Sequence, residues 1–431
     1  MKKFLNFLYN DMYCEVFCLL FLILSFCFDP IDVMFKGYLN ILTLPSILLT
    51  DYVVIGGLSA TFFNVFVMLT FNIIIIRILK QKISGPIFCG LFMIAGFSFF
   101  GKNILNTLPI YLGIWLFSRF KKVHFKSFML SVLFSTGISP IVSYTFFGLG
   151  LEWYVGIPIG IIVGVIVGFI LPAVTAHTIT FHEGYNLYNT GFALGVISAI
   201  YYAILKLLGF EIHTVKLYND KPETVLLYLL LGLSILTIIA AFIINPKVLK
   251  RYKRLLKTSG RMMSDYVRDF GKESVLLNFG LLGMICTILL LVFDIPVNGI
   301  IFGTIIATIG TASYGLHIKN VVPIWIGCSL AIVAKKLVGG VMTIDINFDI
   351  SVIIAFFFAS CLAPLAGKYG IIWGIVAGFM HICISPIALT FQGGFDLYNN
   401  GFAAGFVAAI LSVVCESIYG KERSVVRAKK Q

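Results

Sequence analysis

The sequence predicts an all-α polytopic membrane protein with about 14 transmembrane segments, arranged as two inverted seven-segment repeats with re-entrant or broken helices as a further element. Three observations carry that expectation: an apolar composition, the number of long apolar runs, and a second half that repeats the first. Of the 431 residues, 59% are apolar and 12% charged, and the mean hydropathy is +1.01. A soluble domain carries about 25% charged residues because its surface must be solvated. Here the charges gather between apolar runs, so lipid is the solvent for most of the chain. A soluble enzyme, a nucleic-acid module and a disordered tail are excluded.

A bilayer core of about 30 Å takes roughly 20 apolar residues of helix. Seven such runs precede the polar stretch Glu211 to Glu223, near 12–28, 53–78, 85–100, 104–119, 126–149, 154–177 and 190–209. Seven more follow, near 224–244, 274–293, 297–315, 321–338, 349–366, 370–388 and 400–418. The domain plan is a first membrane repeat over 1–210, a linker over 211–223, and a second, inverted repeat over 224–420 that carries a basic loop at 247–272. A basic tail occupies 421–431.

The repetition is legible residue by residue. Phe181 to Gly195 aligns without a gap on Phe391 to Gly405, an offset of 210 with nine identities in fifteen. A second block, offset by 214, lays Gly101 to Gly113 on Gly315 to Gly327. Even Asp29-Pro30 and Asn245-Pro246 correspond. One ancestral unit was duplicated and fused.

Charge gives the threading. A unit with an odd number of spans sends its second copy in from the opposite side, so basic residues change loops between copies. After the first run stand Asp29, Asp32, Lys36 and Asp51, whereas the matching loop after the eighth holds Lys247, Lys250, Arg251, Lys253, Arg254, Lys257, Arg261, Arg268 and Lys272. The next loop reverses the contrast, with Arg77, Lys80 and Lys82 against Asp294. The positive-inside rule then puts both termini in the cytoplasm. The net charge of +13 reads as a topology signal and a contact with anionic head groups, with no nucleic acid as partner. The expected partners are the lipid bilayer and a small-molecule solute, and a homo-oligomer stays open. The nine cysteines show neither metal-ligand nor disulfide spacing, so no metal and no cofactor is expected.

Inverted repeats bring equivalent broken segments face to face near the midplane, where a site can open to either side in turn. Two segments have the Gly, Pro and polar content of such breaks in both copies. The first is Gly101 to Pro109 with its twin Gly315 to Pro323. It is either a polar surface turn between two short spans or a re-entrant hairpin that carries Lys102, Asn103 and Asn106, and His317, Lys319 and Asn320, to mid-membrane. The second is Gly184 to Gly191 with Gly394 to Gly401. Its polar residues complete the substrate-binding candidates: Asn186, Tyr188, Asn189, Asp396, Tyr398, Asn399 and Asn400, beside Asn103, Asn106 and Asn320. A plainer reading makes Asn189 and Asn399 helix N-caps and sets Tyr188 and Tyr398 at the lipid interface. Where the copies differ, symmetry is broken: His182 faces Gln392, Glu183 faces Gly393 and Asn186 faces Asp396. Glu183, His182 and Asp396, with His381 in the thirteenth run, are therefore the candidates for ion or proton coupling.

The doubled frame Gly-x-x-Leu-Tyr-Asn-x-Gly-Phe-Ala-x-Gly and the doubled block Gly-x-x-Ile-x-Asn-x-x-Pro-Ile resemble an uncharacterised bacterial multi-pass membrane family with two copies of one domain of unknown function. That resemblance implies duplication over nearly the whole chain and a bacterial inner membrane, and it supplies no activity. The seven-plus-seven plan is similar to that of nucleobase symporters and anion exchangers in architecture alone. The functional expectation is a secondary transporter of a small polar or charged solute, not an enzyme, working by alternating access. The alternatives are a channel for a small solute or ion, and an intramembrane enzyme acting on a lipid-linked substrate with Glu183, Asp396 or a histidine as acid or base. No phosphate-binding loop argues for an ATP-driven pump.

Overall fold

The computed structural model describes residues 13–212, 217–219, 222–262, 264–338 and 349–420. The tail over 421–431 and part of the linker over 211–223 lie outside these described residues, within which every long element is helical and pairing of β type is limited to two isolated bridges, Thr50 with Leu217 and Asp51 with Phe100. Ten helices among the described residues are long and apolar enough to cross a membrane. Four shorter apolar helices, Tyr13–Ser25, Gly85–Phe97, Ile104–Phe120 and Gly299–Ser313, make up the rest of the apolar runs.

The first copy runs through α1 (Tyr13–Ser25), α2 (Ile31–Thr43), α3 (Tyr52–Ile78), α4 (Gly85–Phe97), α5 (Ile104–Phe120), α6 (Met129–Ser135), α7 (Ser139–Phe147), α8 (Trp153–Phe181) and α9 (Asn189–Leu207). The second repeats the series as α10 (Thr224–Ile244), α11 (Val248–Leu255), α12 (Tyr266–Phe270), α13 (Lys272–Val292), α14 (Gly299–Gly310), α15 (Ile318–Val338), α16 (Ile350–Phe358), α17 (Ala363–Tyr369), α18 (Ile371–Phe391) and α19 (Asn399–Tyr419). The correspondence extends to backbone detail. Gly57, at φ +83°, kinks α3, and Gly271, 214 residues on and also at φ +83°, separates α12 from α13. Both positions require a left-handed conformation that glycine adopts without penalty.

The short helix α2 stands where the hydropathy pattern places only a loop, whereas at α11 the near-helical spacing of Val248, Leu249, Tyr252, Leu255 and Leu256 is that of a short amphipathic helix, the alternative to a solvated connector. α11 opens the basic stretch at 247–272 and buries Val248, Tyr252 and Leu255, at i, i+4 and i+7, while Lys250, Arg251, Lys253 and Arg254 face outward.

Backbone contact between helices organises the packing. A Cβ at Gly113 would lie 2.2 Å from the Val165 carbonyl, and one at Gly168 would lie 2.1 Å from that of Ile110, so α5 and α8 touch main chain to main chain. Gly327 and Gly378 repeat this at 2.0 Å between α15 and α18. Apolar chains draw no hydrophobic attraction from lipid, so such small-residue contacts give membrane helices their dispersion and polar gains. Between the copies the same device joins each helix to its own twin. Gly191 of α9 meets Gly401 of α19, and Phe192 stacks on Phe402 with ring centres 5.5 Å apart. Residues meeting their own counterparts are the mark of a two-fold relation.

Candidate functional site

The polar centre is built on two breaks. Between α4 and α5 every residue from Ser98 to Asn103 is buried, as is every residue from Thr311 to His317 between α14 and α15. Neither is a surface turn, and in neither pair do the flanking helices pack along one another. One asparagine clips each break: Asn64 donates to the carbonyls of Ser98 and Lys102, both at 2.8 Å, and Asn278 donates to those of Ala312 and Leu316 at 2.9 and 2.7 Å. Asn103 and Asn106 then cap α5 reciprocally, each side chain accepting from the other's backbone N–H at 3.0 Å. His317 and Asn320 do the same for α15. Asn103, Asn106 and Asn320 thus shape the breaks, satisfying helix-start donors that burial would leave orphaned.

The conserved-by-duplication loops dock across the copies. Leu397 donates its N–H to the Gly137 carbonyl in the first copy, and Leu187 donates to that of Cys361 in the second, at 2.9 and 3.0 Å. Leu48 donates to the Gly394 carbonyl, and Met262, 214 residues on, donates to that of Gly184. The carboxylates Asp51 and Asp265 exchange helix starts in the same manner, accepting from Gly299 and Gly85 respectively. Every such bond has a twin in which the copies trade places.

Inside the loops, Asn186 and Asp396 each accept the N–H two residues on, from Tyr188 and Tyr398 at 2.9 and 2.8 Å. These Asx turns close the chain before the helices begin. Asn189 and Asn399 are consequently the first residues of α9 and α19, not their N-caps, and their side chains are free for other bonds. Asn189 accepts from Thr178 and pairs with His182 Nε2 at 2.9 and 2.8 Å, while Asn400 pairs with His381 Nε2 at 3.0 Å and donates to Asn399. Tyr188 and Tyr398 are 3% and 2% exposed, so they belong to the core and not to a lipid interface. The structure therefore gathers Asn186, Tyr188, Asn189, Asp396, Tyr398, Asn399, Asn400, His182 and His381 into buried positions around the two loops. Several buried polar atoms there lack a hydrogen-bond partner: Nδ1 of His182 and of His381, both side-chain polar atoms of Gln392, and Oδ2 of Asp396. Such orphans are costly, since a buried polar group without a partner loses its hydration without replacement.

Glu183 lies apart, at the rim, where Arg261 holds its side chain at 3.7 Å and its carbonyl at 2.6 Å. There a cavity of about 1070 Å³ opens, with Lys257, Arg261, Lys319 and Lys368 in its wall and the buried His317 and Asn320 beside them. At the equivalent positions of the first copy stand Thr43, Ile47 and Leu105 for Lys257, Arg261 and Lys319, so this positive charge belongs to one copy alone. The polar centre is likewise asymmetric. Lys102, fully buried, donates to Tyr398 Oη at 2.5 Å and sits over the Phe97 and Tyr398 rings. Its equivalent is Leu316. Sequence reasoning placed Lys102 on the break without joining it to Tyr398, and it passed over Asn64 and Asn278.

The comparisons with known proteins fit the doubled architecture. One family matches twice, over residues 31–207 and 244–417, and is described as "Protein of unknown function (DUF1576)". The chain belongs to this family. Neither a curated protein nor a solved structure matches it. The two DUF1576 matches enclose both breaks, both docking loops and both histidine–asparagine pairs, so each family domain contributes half of the polar centre.

Proposed function

We propose that this chain is a secondary transporter of a small polar or charged solute, alternating access between two inverted seven-segment repeats in a bacterial inner membrane with both termini cytoplasmic. The observation that carries the reading is the reciprocal docking of the loops around Asn186 and Asp396 upon the opposite copy, with unpartnered polar atoms buried beside them. A two-fold pair of breaks at a polar centre has two equivalent arrangements, in which one copy opens as the other closes. This reading counts each of the ten long and four shorter apolar helices as one segment, seven per copy, with the helices that flank the buried breaks reaching only part-way through the membrane. The basic residues that change loops between copies support opposite entry. The one-sided cationic cavity serves as the solute's mouth on the basic, cytoplasmic face and favours an anionic cargo.

The test is flux in proteoliposomes that hold the full chain, screened with small organic anions, sugars and amino acids. The expected result is saturable uptake of one class. Asn400→Thr, which installs the first copy's Thr190 and breaks the bond to His381, should abolish that uptake while the folded protein persists. Flux that never saturates indicates a channel, and no flux across the panel from folded protein overturns the reading.

A further inference from the structure

The two docking loops differ at one atom whose consequence the geometry makes plain. In the first copy Asn186 uses Oδ1 to accept from Tyr188 and Nδ2 to donate to the Gly401 carbonyl at 2.8 Å. In the second, Asp396 accepts from Tyr398 with Oδ1 in the same way, and its Oδ2 takes the place of Nδ2. By that correspondence, the carbonyl that answers to that of Gly401 for this oxygen is that of Gly191. Two oxygens cannot bond without a hydrogen between them. Oδ2 has no partner, Asp396 is fully buried, and no cation lies within 4.0 Å among the described residues. A carboxylate in that setting faces a carbonyl dipole with its negative end and loses its hydration as well. A carboxyl group donates O–H to Gly191 and reproduces the first copy's bond.

We infer that Asp396 holds a proton in this conformation, donated to the Gly191 carbonyl, and that Lys102 receives the carboxylate when the proton leaves, which makes the pair the proton-coupling element of the carrier. This rests on the transport reading only for its role in coupling; the proton site itself follows from the loop geometry. When the docked loop parts from Gly191, the Asp396 O–H bond breaks, the electron pair stays on Oδ2 and the proton passes to water on the open side. Among the described residues Lys102 is the basic group that acts on Asp396. Tyr398 stands in the same turn as Asp396, with Tyr111 and Cys89 around that tyrosine, and Tyr188 stands with Cys361 at the opposite loop. Among the described residues no second carboxyl acts on Asp396. Lys102 and Asp396 occur in one half only, replaced by Leu316 and Asn186 in the other, so a single proton is exchanged per cycle.

The experiment is pH-dependent infrared difference spectroscopy of the full chain in lipid nanodiscs, reading the C=O stretch of a protonated carboxyl and its shift in D2O. A band that titrates away at alkaline pH is expected in the wild type. It should be missing in Asp396→Asn, which supplies the amide that Asn186 already supplies in the first copy and so keeps the fold. In Lys102→Leu, the residue of the second copy, the same band should persist to higher pH by about one unit, because the carboxylate loses its counter-charge. Identical spectra for the wild type and Asp396→Asn overturn the inference. The two readings separate cleanly: a band lost in Asp396→Asn from a protein that moves no solute retires transport and keeps the proton site, whereas solute flux in Asp396→Asn still driven by a pH gradient retires the coupling role of Asp396 and keeps transport.

Discussion

Asn64 and Asn278 hold the breaks on which the polar centre is built, and replacing each with leucine tests how the site is supported. In Asn64→Leu two buried carbonyls, those of Ser98 and Lys102, lose their donor. Each costs about 1–3 kcal/mol, or about 2–6 kcal/mol together. Asn64 Oδ1 is itself buried without a partner, so its removal returns about 1–2 kcal/mol, leaving a net cost of about 0–5 kcal/mol. Asn278 offers no such relief, because its Oδ1 accepts from Tyr252 Oη at 3.2 Å. Asn278→Leu strands the carbonyls of Ala312 and Leu316 and the Tyr252 hydroxyl together, for about 3–9 kcal/mol. Reversible unfolding of the two variants in mixed lipid–detergent micelles measures the difference. The account expects Asn278→Leu to be the less stable by about 2 kcal/mol. Equal stabilities, or the opposite order, would refute the bonding pattern assigned to the breaks.

Gly191→Ala should destabilise the fold by about 1–3 kcal/mol, since its Cβ would lie 2.9 Å from Tyr398 and 3.2 Å from Gly401 Cα where the two copies meet, a change read from the thermal unfolding midpoint. Gly232→Ala, whose Cβ meets nothing within 4 Å, should by contrast leave that midpoint unchanged or raise it slightly by helix propensity.

What the sequence disclosed followed from its duplication. The offset of 210 between Tyr188 and Tyr398, and of 214 between Asn106 and Asn320, marked the segments that the structure brings to the centre. The apolar runs near 85–100 and 104–119 marked α4 and α5 but left open whether the turn between them is at the surface or buried, because a polar Gly-Lys-Asn segment looks the same in water as in a protein core. Tyr188 and Tyr398 were misplaced for a related reason: tyrosine suits a membrane interface and a buried hydrogen-bonded site equally well. The helix α2 escaped the hydropathy scan, being shorter than a span and rich in polar residues, while the apolar spacing of Val248, Tyr252 and Leu255 did disclose α11. Cross-copy pairs such as Asp51 with Gly299 are set by the docking of distant helices, which no local spacing encodes. A signal did exist, since Asp51 and Asn64 align with Asp265 and Asn278 at the offset of 214, and polar identities inside apolar repeats deserve the same weight as a motif.

The most direct measurement of the central claim is the sidedness of two equivalent positions, Lys36 and Lys250, both exposed and 214 residues apart. Each is changed to cysteine in a background in which the exposed Cys27 and Cys383 are serine, and intact cells are treated with a membrane-impermeant maleimide. Labelling of Lys36→Cys from outside, with Lys250→Cys reached only after permeabilisation, is the result that inverted repeats require. Labelling of both from one side would mean that the copies run parallel, and the alternating carrier built on their inversion would fall.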